Sequence, residues 1–450
     1  MQLLQARGVC ATLVAAVVAA IMLAGSTKAL AVPSFARQTG MACEACHTVF
    51  PELTPFGRAF KMNGYLIDNL PQVKEVTADQ KEALLLNWLP PLSVQFIASY
   101  TQLKTALPDT SGGTGTPTGN GTTQFPEAFS FFYAGRIAPK LGGFIQVTWA
   151  NDSDSFSWDN TDIRFADQTT LGKDTLTWGV TFNNSPTVQD PWNSTPAWKY
   201  PFSQTSSLAP SSVASTQLDS LGNNTVAGLS AYGYWNNLVY VELGGYTAAP
   251  HLTTPSQGVE NVHDGAPYGR IAVQPQWGRH SLEFGVLGFS DNATPAGSLN
   301  STPTDQYRDI AFDAEYQFLG DDNIVSAELT YIHENQTLNA TAPSAASNTL
   351  NTFRLGGSYF YQRQWGGSIG YFSTTGNTDP ALYVPLGSAN GSPDTSGWAF
   401  ELDYLPWQNV KLALQYTLYT KFNGAGTNYD GTGRNASSNN TLYLFAWLAF

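Results

Sequence analysis

The residues with the most specific chemistry are Cys43, Cys46 and His47, which form a Cys-x-x-Cys-His pattern. Two thiols at this spacing lie on one helical turn, so they can add to the two vinyl groups of a haem. A histidine directly after the second thiol falls under the ring, where its imidazole can bind the iron. The pattern therefore predicts one covalent haem c, with Cys43 and Cys46 as attachment sites and His47 as the proximal iron ligand.

Three other uses of the cysteine pair compete with this interpretation: a structural disulfide, a thioredoxin-like dithiol and half of a zinc site. A zinc site lacks further ligands, because the chain holds only three cysteines and the next histidine after His47 is His251. A redox dithiol usually belongs to a βαβ unit, and no such pattern surrounds these cysteines. The haem interpretation is therefore favoured.

The second axial ligand of such a haem is less well defined. Met41 is too close to Cys43 to reach the other face of the ring, and Lys61 is an unusual ligand. Met62 lies in a short predicted helix that ends at Gly64, so it is the candidate distal ligand. The alternative is that Met62 fills the core, which would leave the iron five-coordinate or ligated from another part of the chain.

The first thirty residues have the layout of a secretory signal peptide. Arg7 precedes an apolar run at 11–23, and small residues lead to an Ala-Leu-Ala sequence that ends at Ala31. We expect cleavage after Ala31, which removes Cys10 and exports the chain to the compartment where haem c is attached. A retained membrane anchor is the alternative.

Composition excludes a helical membrane protein. Only 12% of residues are charged and 13% are aromatic. Despite this low fraction of charged residues, no window after the first thirty residues offers the ~18 consecutive apolar residues of a membrane-spanning helix. The formal net charge is −13, and removal of the signal peptide, which holds two basic residues and no acid, makes it more negative. A surface of this charge repels nucleic acid and attracts cations.

From Leu92 onward, apolar residues recur with a period of two. At 310–318, for example, apolar and aromatic residues alternate with alanine, aspartate, glutamate and glutamine, so one face of the strand is apolar and the other is polar. In an outer-membrane barrel the apolar face contacts lipid and the polar face lines the lumen, whereas in a soluble sandwich the apolar face forms the core. Sixteen strands are predicted, at 92–103, 127–138, 141–150, 161–168, 174–183, 225–235, 238–248, 267–276, 280–290, 308–318, 323–333, 351–362, 365–374, 396–406, 409–420 and 441–450.

Connection lengths distinguish the barrel from the sandwich. Long connections at 104–126 and 184–224 alternate with tight turns at 139–140, 236–237 and 363–364. Short periplasmic turns and long outer loops are typical of an outer-membrane barrel. The last predicted strand also resembles the C-terminal recognition strand of bacterial outer-membrane proteins, since it alternates and ends on an aromatic residue.

These patterns predict an all-β transmembrane barrel of about sixteen antiparallel strands at 89–450. It follows a signal peptide at 1–31 and a haem segment at 32–88. We expect the haem segment to be small, mainly helical and inserted in the lumen, because a segment of this size buries too little surface to be stable alone. The expected location is the outer membrane of a Gram-negative bacterium.

Two stretches of the barrel are candidate binding loops. The carboxylates of the second outer loop suit hard cations, although a solvated acidic loop is the more common case. The stretch at 183–193 opens a long loop that is predicted either to fold into the lumen or to form a stiff surface loop. The aspartates of the candidate cation-attracting loop are Asp152, Asp154, Asp159 and Asp162.

Short motifs near the Cys-x-x-Cys-His pattern resemble those of a known family. They comprise Pro-Ser-Phe-Ala-Arg-Gln-Thr-Gly at 33–40, Leu-Thr-Pro-Phe-Gly-Arg at 53–58, Phe-Lys at 60–61 and Asn-Gly-Tyr at 63–65. A further stretch at 183–192 reads Asn-Asn-Ser-Pro-Thr-Val-Gln-Asp-Pro-Trp. The chain resembles the fused cytochrome-porin family, whose members include outer-membrane iron oxidases of iron-oxidising bacteria.

The resemblance implies oxidation of extracellular ferrous iron, with the electron passed through the haem to a periplasmic carrier, either a soluble cytochrome or a cupredoxin. The resemblance implies that Cys43, Cys46 and His47 hold the haem. It does not identify the distal ligand. The alternative function is a porin or transport channel with a haem-bearing plug or sensor, because a barrel of sixteen strands is wide enough for an aqueous channel. A filled lumen favours electron transfer, and an empty one favours transport.

Overall fold

The computed structural model describes residues 33–67, 72–76, 82–108, 119–198, 204–221, 226–249, 261–294, 303–343 and 347–450. The predicted signal peptide lies outside these residues. Within the described ranges, no helix combines the length and the apolar character needed to cross a membrane.

The strands from Leu92 to the C-terminal end form one closed antiparallel sheet. Neighbouring positions in the wall follow the order of the chain, and the last strand pairs with the first in a register that runs from Thr441↔Leu103 to Ala449↔Gln95. The sheet has 18 strand segments, of which three share one position in the wall because all three pair with the same neighbour. The result is a barrel of sixteen strands, which confirms the predicted fold class.

The described strands are β1 Gln72–Val76, β2 Glu82–Asn87, β3 Leu92–Leu103, β4 Asn120–Ala138, β5 Leu141–Ala150, β6 Ser155–Leu171, β7 Asp174–Asn183, β8 Val226–Trp235, β9 Val239–Ala248, β10 Asn261–Val262, β11 Ala266–Val273, β12 Gln276–Trp277, β13 His280–Thr294, β14 Asp305–Leu319, β15 Asn323–Leu338, β16 Ser347–Tyr361, β17 Trp365–Gly376, β18 Thr395–Trp407, β19 Val410–Lys421 and β20 Thr441–Ala449. The described helices are α1 Pro33–Thr39, α2 Cys43–Cys46, α3 Pro55–Met62, α4 Gln217–Ser220 and α5 Pro380–Tyr383. Two further 3-10 turns occupy Pro196–Trp198 and Ala436–Asn439.

The alternation of apolar and polar residues determines which side of the wall each side chain faces. In β14, Ile310 and Phe312 are 52% and 48% exposed, whereas Asp313 and Glu315 are 3% and 1% exposed. An apolar outer surface and a polar inner surface are the arrangement that lipid requires of a transmembrane barrel. The chain is therefore an outer-membrane β-barrel protein.

The two ends of the barrel differ in the length of their connections. Asn236 and Asn237 lie in the three-residue connection from β8 to β9 and have φ values of 51° and 53°, a left-handed conformation that asparagine adopts readily in tight hairpin turns. The other end carries the long connections, of which the longest joins β7 to β8. In bacterial outer-membrane barrels the short turns face the periplasm and the long loops face outward.

Two parts of the chain contact the inner surface of the wall. In the N-terminal segment, the Leu53 carbonyl accepts a hydrogen bond from Gln317 Nε2 at 3.1 Å. In the connection between β7 and β8, Ser194 Oγ donates to Asp313 Oδ2 at 2.6 Å. These two parts of the chain therefore cover the polar inner face of the wall where they contact it.

The N-terminal segment differs in one respect from the prediction of a mainly helical segment. It contains three short helices, but β1 and β2 then pair as an antiparallel hairpin with the register Gln72↔Asn87. The sequence of β1, Gln-Val-Lys-Glu-Val, starts with the polar–apolar alternation of a strand. That signal is only five residues long, which is too short to identify a strand against a helical background.

Candidate functional site

The Cys-x-x-Cys-His residues form α2 and the residue that caps it. His47 N donates to the Cys43 carbonyl at 2.9 Å, which closes the single turn. Both thiols are free, and burial raises the pKa of Cys43 to about 12 and that of Cys46 to about 11. An attacking thiol of a redox dithiol needs a lowered pKa, so the local environment does not fit thioredoxin-like chemistry.

His47 is held in the orientation that a metal-binding imidazole needs. Its Nδ1 lies 3.0 Å from the main-chain oxygen of Glu52. Because a carbonyl only accepts hydrogen bonds, Nδ1 carries the proton and the lone pair resides on Nε2. Burial also lowers the pKa of His47 to about 4, so the ring is neutral at neutral pH. A neutral imidazole oriented through its other nitrogen is typical of a metal ligand.

A cavity borders Cys46 and His47. It encloses about 1140 Å³ of open space, including its mouth. Most of the side chains that line it are apolar or aromatic, which suits a large planar, mainly apolar group. The aromatic lining residues are Phe35, Phe50, Phe56, Phe60, Tyr65, Phe132, Phe144, Trp198 and Trp447. Two thiols, a neutral histidine and an apolar cavity fit the chemistry of haem c.

The motif after the haem pattern packs α3 closely against α2. Thr54 Oγ1 donates to the Ala45 carbonyl at 2.7 Å and accepts from Gly57 N at 3.1 Å, so one side chain both caps α3 and links the two helices. Pro55 occupies the first turn of α3, where its missing N–H is not needed. A Cβ atom on Gly57 would lie 2.2 Å from the Cys46 carbonyl oxygen, so this approach requires glycine.

The structure places Met62 away from the cavity. Met62 is 1% exposed and packs in an aromatic cluster with Trp192, Tyr232 and Tyr240, and it is not among the described residues that line the cavity. This packing corresponds to the core role that the sequence left open and gives no support to Met62 as the distal ligand. Met41 does line the cavity.

Lys61 lines the cavity but has its ammonium group occupied. Its Nζ donates to the main-chain oxygens of Val188 and Asp190 and to Asn193 Oδ1, at 2.9, 2.6 and 3.0 Å. The same group lies 4.5 Å from the centre of the Trp198 ring. Burial lowers the pKa of Lys61 to about 7. Lys61 therefore joins the N-terminal segment to the lumen loop, which we define as residues 184–198.

Asp190 organises the lumen loop. One carboxylate oxygen accepts from the main-chain N–H groups of Ser194 and Thr195 at 3.0 and 3.2 Å, and the other accepts from Trp192 N at 3.0 Å. Asp190 Oδ1 also lies 3.4 Å from Arg270 Nη2 on β11. The stretch at 183–193 is thus an ordered segment that faces the inner wall, and it lines the cavity through Asn193.

The α2 helix lies at the end of the barrel that carries the short turns. Glu44 Oε2 accepts from Gln408 Nε2 at 3.0 Å and lies 3.6 Å from Arg363 Nε. Gln408 belongs to the turn between β18 and β19, and Arg363 to the turn between β16 and β17. The candidate site is therefore at the end of the barrel with the short turns, the end that faces the periplasm in bacterial outer-membrane barrels.

The predicted cluster of four aspartates does not form one outer loop. Asp152 and Asp154 are exposed in the tight turn before β6, but Asp159 and Asp162 lie within β6, which starts six residues earlier than predicted. Asp162 is fully buried and accepts hydrogen bonds from Tyr65 and Arg164 at 2.5 and 2.7 Å. The prediction was wrong for Asp162, because the alternation of β6 turns this residue inward.

Sequence reasoning missed Glu52 as part of the site, and it named Asn193 only as the end of the candidate binding loop at 183–193. Glu52 follows the haem pattern by five residues, and the only available signal was a single acid in an otherwise apolar and hydroxyl-rich stretch. Asn193 Nδ2 donates to the Pro51 carbonyl at 2.8 Å. This contact spans 142 positions and has no local signature.

Comparison with known proteins finds similarity to solved structures only. No family model matches the chain, and no curated protein matches it. The outer membrane channel DcaP of Acinetobacter baumannii is 12% identical, with 80% of this chain and 96% of that chain covered and a TM-score of 0.46. The anion-selective porin from Comamonas acidovorans is 10% identical, with coverages of 80% and 98% and a TM-score of 0.45. OmpT of Vibrio cholerae, in its trimer form, is 12% identical, with coverages of 80% and 98% and a TM-score of 0.42.

Proposed function

We propose that this barrel is an outer-membrane electron-transfer protein that carries one haem c, oxidises extracellular ferrous iron and passes the electron to a periplasmic carrier. The observation that carries the proposal is the environment of His47. Its Nδ1 donates to the Glu52 carbonyl, its ring is neutral, and it borders an apolar cavity next to Cys46. The iron specificity rests on the resemblance to the fused cytochrome-porin family.

In this proposal each residue of the site has a separate task. Cys43 and Cys46 would hold the haem through thioether bonds, and His47 would bind its iron. The aromatic lining excludes water from the group. When bound, a haem c supplies a one-electron redox centre.

The position of α2 supports electron transfer on the periplasmic side. The Glu44 contacts place the cysteines at the end with the short turns, within reach of a soluble cytochrome or a cupredoxin. The described residues 204–221 also contact the inner wall, for example at Gln217 with Glu334 and at Asp219 with Arg354. A ferrous donor would approach as a hydrated cation, and the negative net charge of the chain should attract it.

A transport channel is the second candidate function. A barrel of sixteen strands is wide enough for an aqueous pore. Both candidate functions require the same barrel. The lumen loop and the N-terminal segment would then be the plug that narrows the pore. Contacts between these parts and the wall, such as that of Asp190 with Arg270, support a closed rather than an open lumen.

The experiment uses the full chain, exported and purified in detergent. A haem stain should persist after denaturation for the wild type and disappear for Cys43→Ala/Cys46→Ala, because each thiol supplies one thioether bond. Ferrous iron should then reduce the oxidised haem in stopped-flow absorbance, more slowly at high salt, since salt screens the attraction.

The outcomes separate the candidates. Absence of covalent haem would overturn the cytochrome proposal. Haem that ferrous iron does not reduce would leave a cytochrome with another donor. A large conductance of the wild type in planar bilayers, together with absence of haem, would favour the channel.

A further inference from the structure

Three successive main-chain carbonyls hold the region after the haem pattern. The Pro51 oxygen accepts from Asn193 Nδ2 at 2.8 Å, and the Leu53 oxygen accepts from Gln317 Nε2 at 3.1 Å. The middle oxygen, that of Glu52, accepts from His47 Nδ1 at 3.0 Å. The lumen loop and the wall therefore hold the flanking carbonyls, while the central one holds the imidazole.

The side chain of Glu52 adds a second attachment to the wall. Glu52 is 2% exposed, and its Oε2 accepts from Thr48 Oγ1 at 2.5 Å while its Oε1 accepts from Ser358 Oγ at 3.2 Å. Ser358 belongs to β16, so one carboxylate oxygen is held from the segment and the other from the barrel. Burial of a carboxylate is unfavourable unless it is hydrogen-bonded. An apolar side chain would fill the same space at a lower cost in free energy.

The ring of His47 is confined by aromatic neighbours as well. Its centre lies 4.4 Å from that of Phe50, and Phe50 in turn lies 5.2 Å from Trp447 of β20. The imidazole therefore packs against Phe50 with the two rings tilted by 44°, and Phe50 in turn contacts the wall. The carbonyl of Glu52 then determines the remaining rotation of the ring.

We propose that Glu52 is a positioning residue for His47. The barrel wall holds the Glu52 carboxylate through Ser358, and the main-chain carbonyl of the same residue sets the direction and strength of the hydrogen bond to the imidazole. This inference rests on the proposed function, because it concerns the histidine that would bind haem iron. Residues of the barrel thus tune a ligand more than three hundred positions away in sequence.

The physical basis is the effect of an outer hydrogen bond on a metal ligand. A carbonyl that accepts from Nδ1 makes the imidazole a stronger donor to the metal. A stronger donor stabilises ferric over ferrous iron and lowers the reduction potential. Loss of the anchor should therefore loosen the hydrogen bond and raise the potential.

The test measures the midpoint potential and the ferrous absorption spectrum of the full, haem-loaded protein in detergent. Glu52→Ala should raise the potential and alter the spectrum, and Ser358→Ala should shift the potential in the same direction by less. Glu52→Gln, which can still accept from one hydroxyl, should restore most of the wild-type value. The matched control is Glu334→Gln, since Glu334 is also fully buried and inward-facing but contacts Gln217 and Gln336 instead.

The results distinguish the positioning role of Glu52 from the proposed function. A wild-type potential in folded Glu52→Ala or Ser358→Ala would overturn the positioning role and leave the proposed function intact. If Glu52→Ala does not fold, Ser358→Ala alone decides, because it removes one hydroxyl and leaves the carboxylate in place. If Glu334→Gln shifted the midpoint potential as much as Glu52→Ala does, the loss of any buried charge would explain the shift, and the proposal would be overturned. A wild type without covalent haem would overturn both this inference and the proposed function.

Discussion

At the scale of single residues, Gly57 shows how closely two parts of the site approach each other. The missing side chain lets α3 approach the Cys46 carbonyl, and an added Cβ would lie 2.2 Å from that oxygen. Main chain opposes main chain at this point, so neither side can move away as a flexible side chain would. The cysteines and α3 therefore depend on each other for their positions.

We expect Gly57→Ala to displace α2 from α3 at a cost of about 1–3 kcal/mol, which is typical of overpacking. Haem attachment requires correctly placed thiols, so the variant should carry less covalent haem per folded barrel. The measurement is haem stain intensity relative to the amount of heat-modifiable barrel on a gel. The control is Gly288→Ala, whose Cβ would lie 3.9 Å from its nearest neighbour. Equal haem content in all three proteins would contradict the prediction.

At the scale of elements, one aspartate and one lysine hold the lumen loop and the N-terminal segment in place. Asp190 holds the turn of the loop through three main-chain N–H groups and meets Arg270 of the wall. Lys61 then attaches the segment to that turn. Because both side chains are buried, removal of either would leave polar groups without partners.

We expect Asp190→Ala to release the lumen loop from the wall. Each main-chain donor that it leaves unsatisfied costs about 1–3 kcal/mol, which is enough to favour an open loop. The conductance of the purified variant in planar bilayers should exceed that of the wild type. Asp264→Ala is the control, because Asp264 is 68% exposed. If the conductances of the wild type and Asp190→Ala were the same, the loop would not close the lumen.

At the scale of the whole molecule, the barrel has two different ends, and the candidate site lies at only one. The short turns and α2 share the end at which Glu44 meets Arg363. The long connections lie at the other end. If short turns face the periplasm, the cysteines do too.

We expect a protease site inserted at 431–433 to be cut in intact cells, because these residues are exposed in a long connection. A site inserted at Arg363 should be protected until the outer membrane is opened. The structure makes 431–433 a better test than the loop between β7 and β8, whose residues 184–196 are buried. Cleavage at Arg363 alone in intact cells would reverse the orientation of the barrel and of the site.

Much of the fold could be read from local patterns. A period of two over about ten residues and the alternation of tight and long connections depend only on neighbours in sequence, so all sixteen barrel strands were predictable. The cysteines and His47 were equally visible, because five consecutive residues carry the pattern. The hairpin of β1 and β2 was not, since its alternation extends over five residues in β1.

The sequence by itself determined the barrel, the apolar outer face and the presence of a Cys-x-x-Cys-His turn, because each follows from short-range spacing. Only the tertiary structure decided that Asp162 faces inward, that Met62 packs among aromatic residues and that Glu52 joins His47 to the wall. These outcomes depend on pairs far apart in the chain, such as Glu52 and Ser358, which are separated by 306 positions. Closure of the barrel brings such pairs together, and no local pattern records which of them will meet.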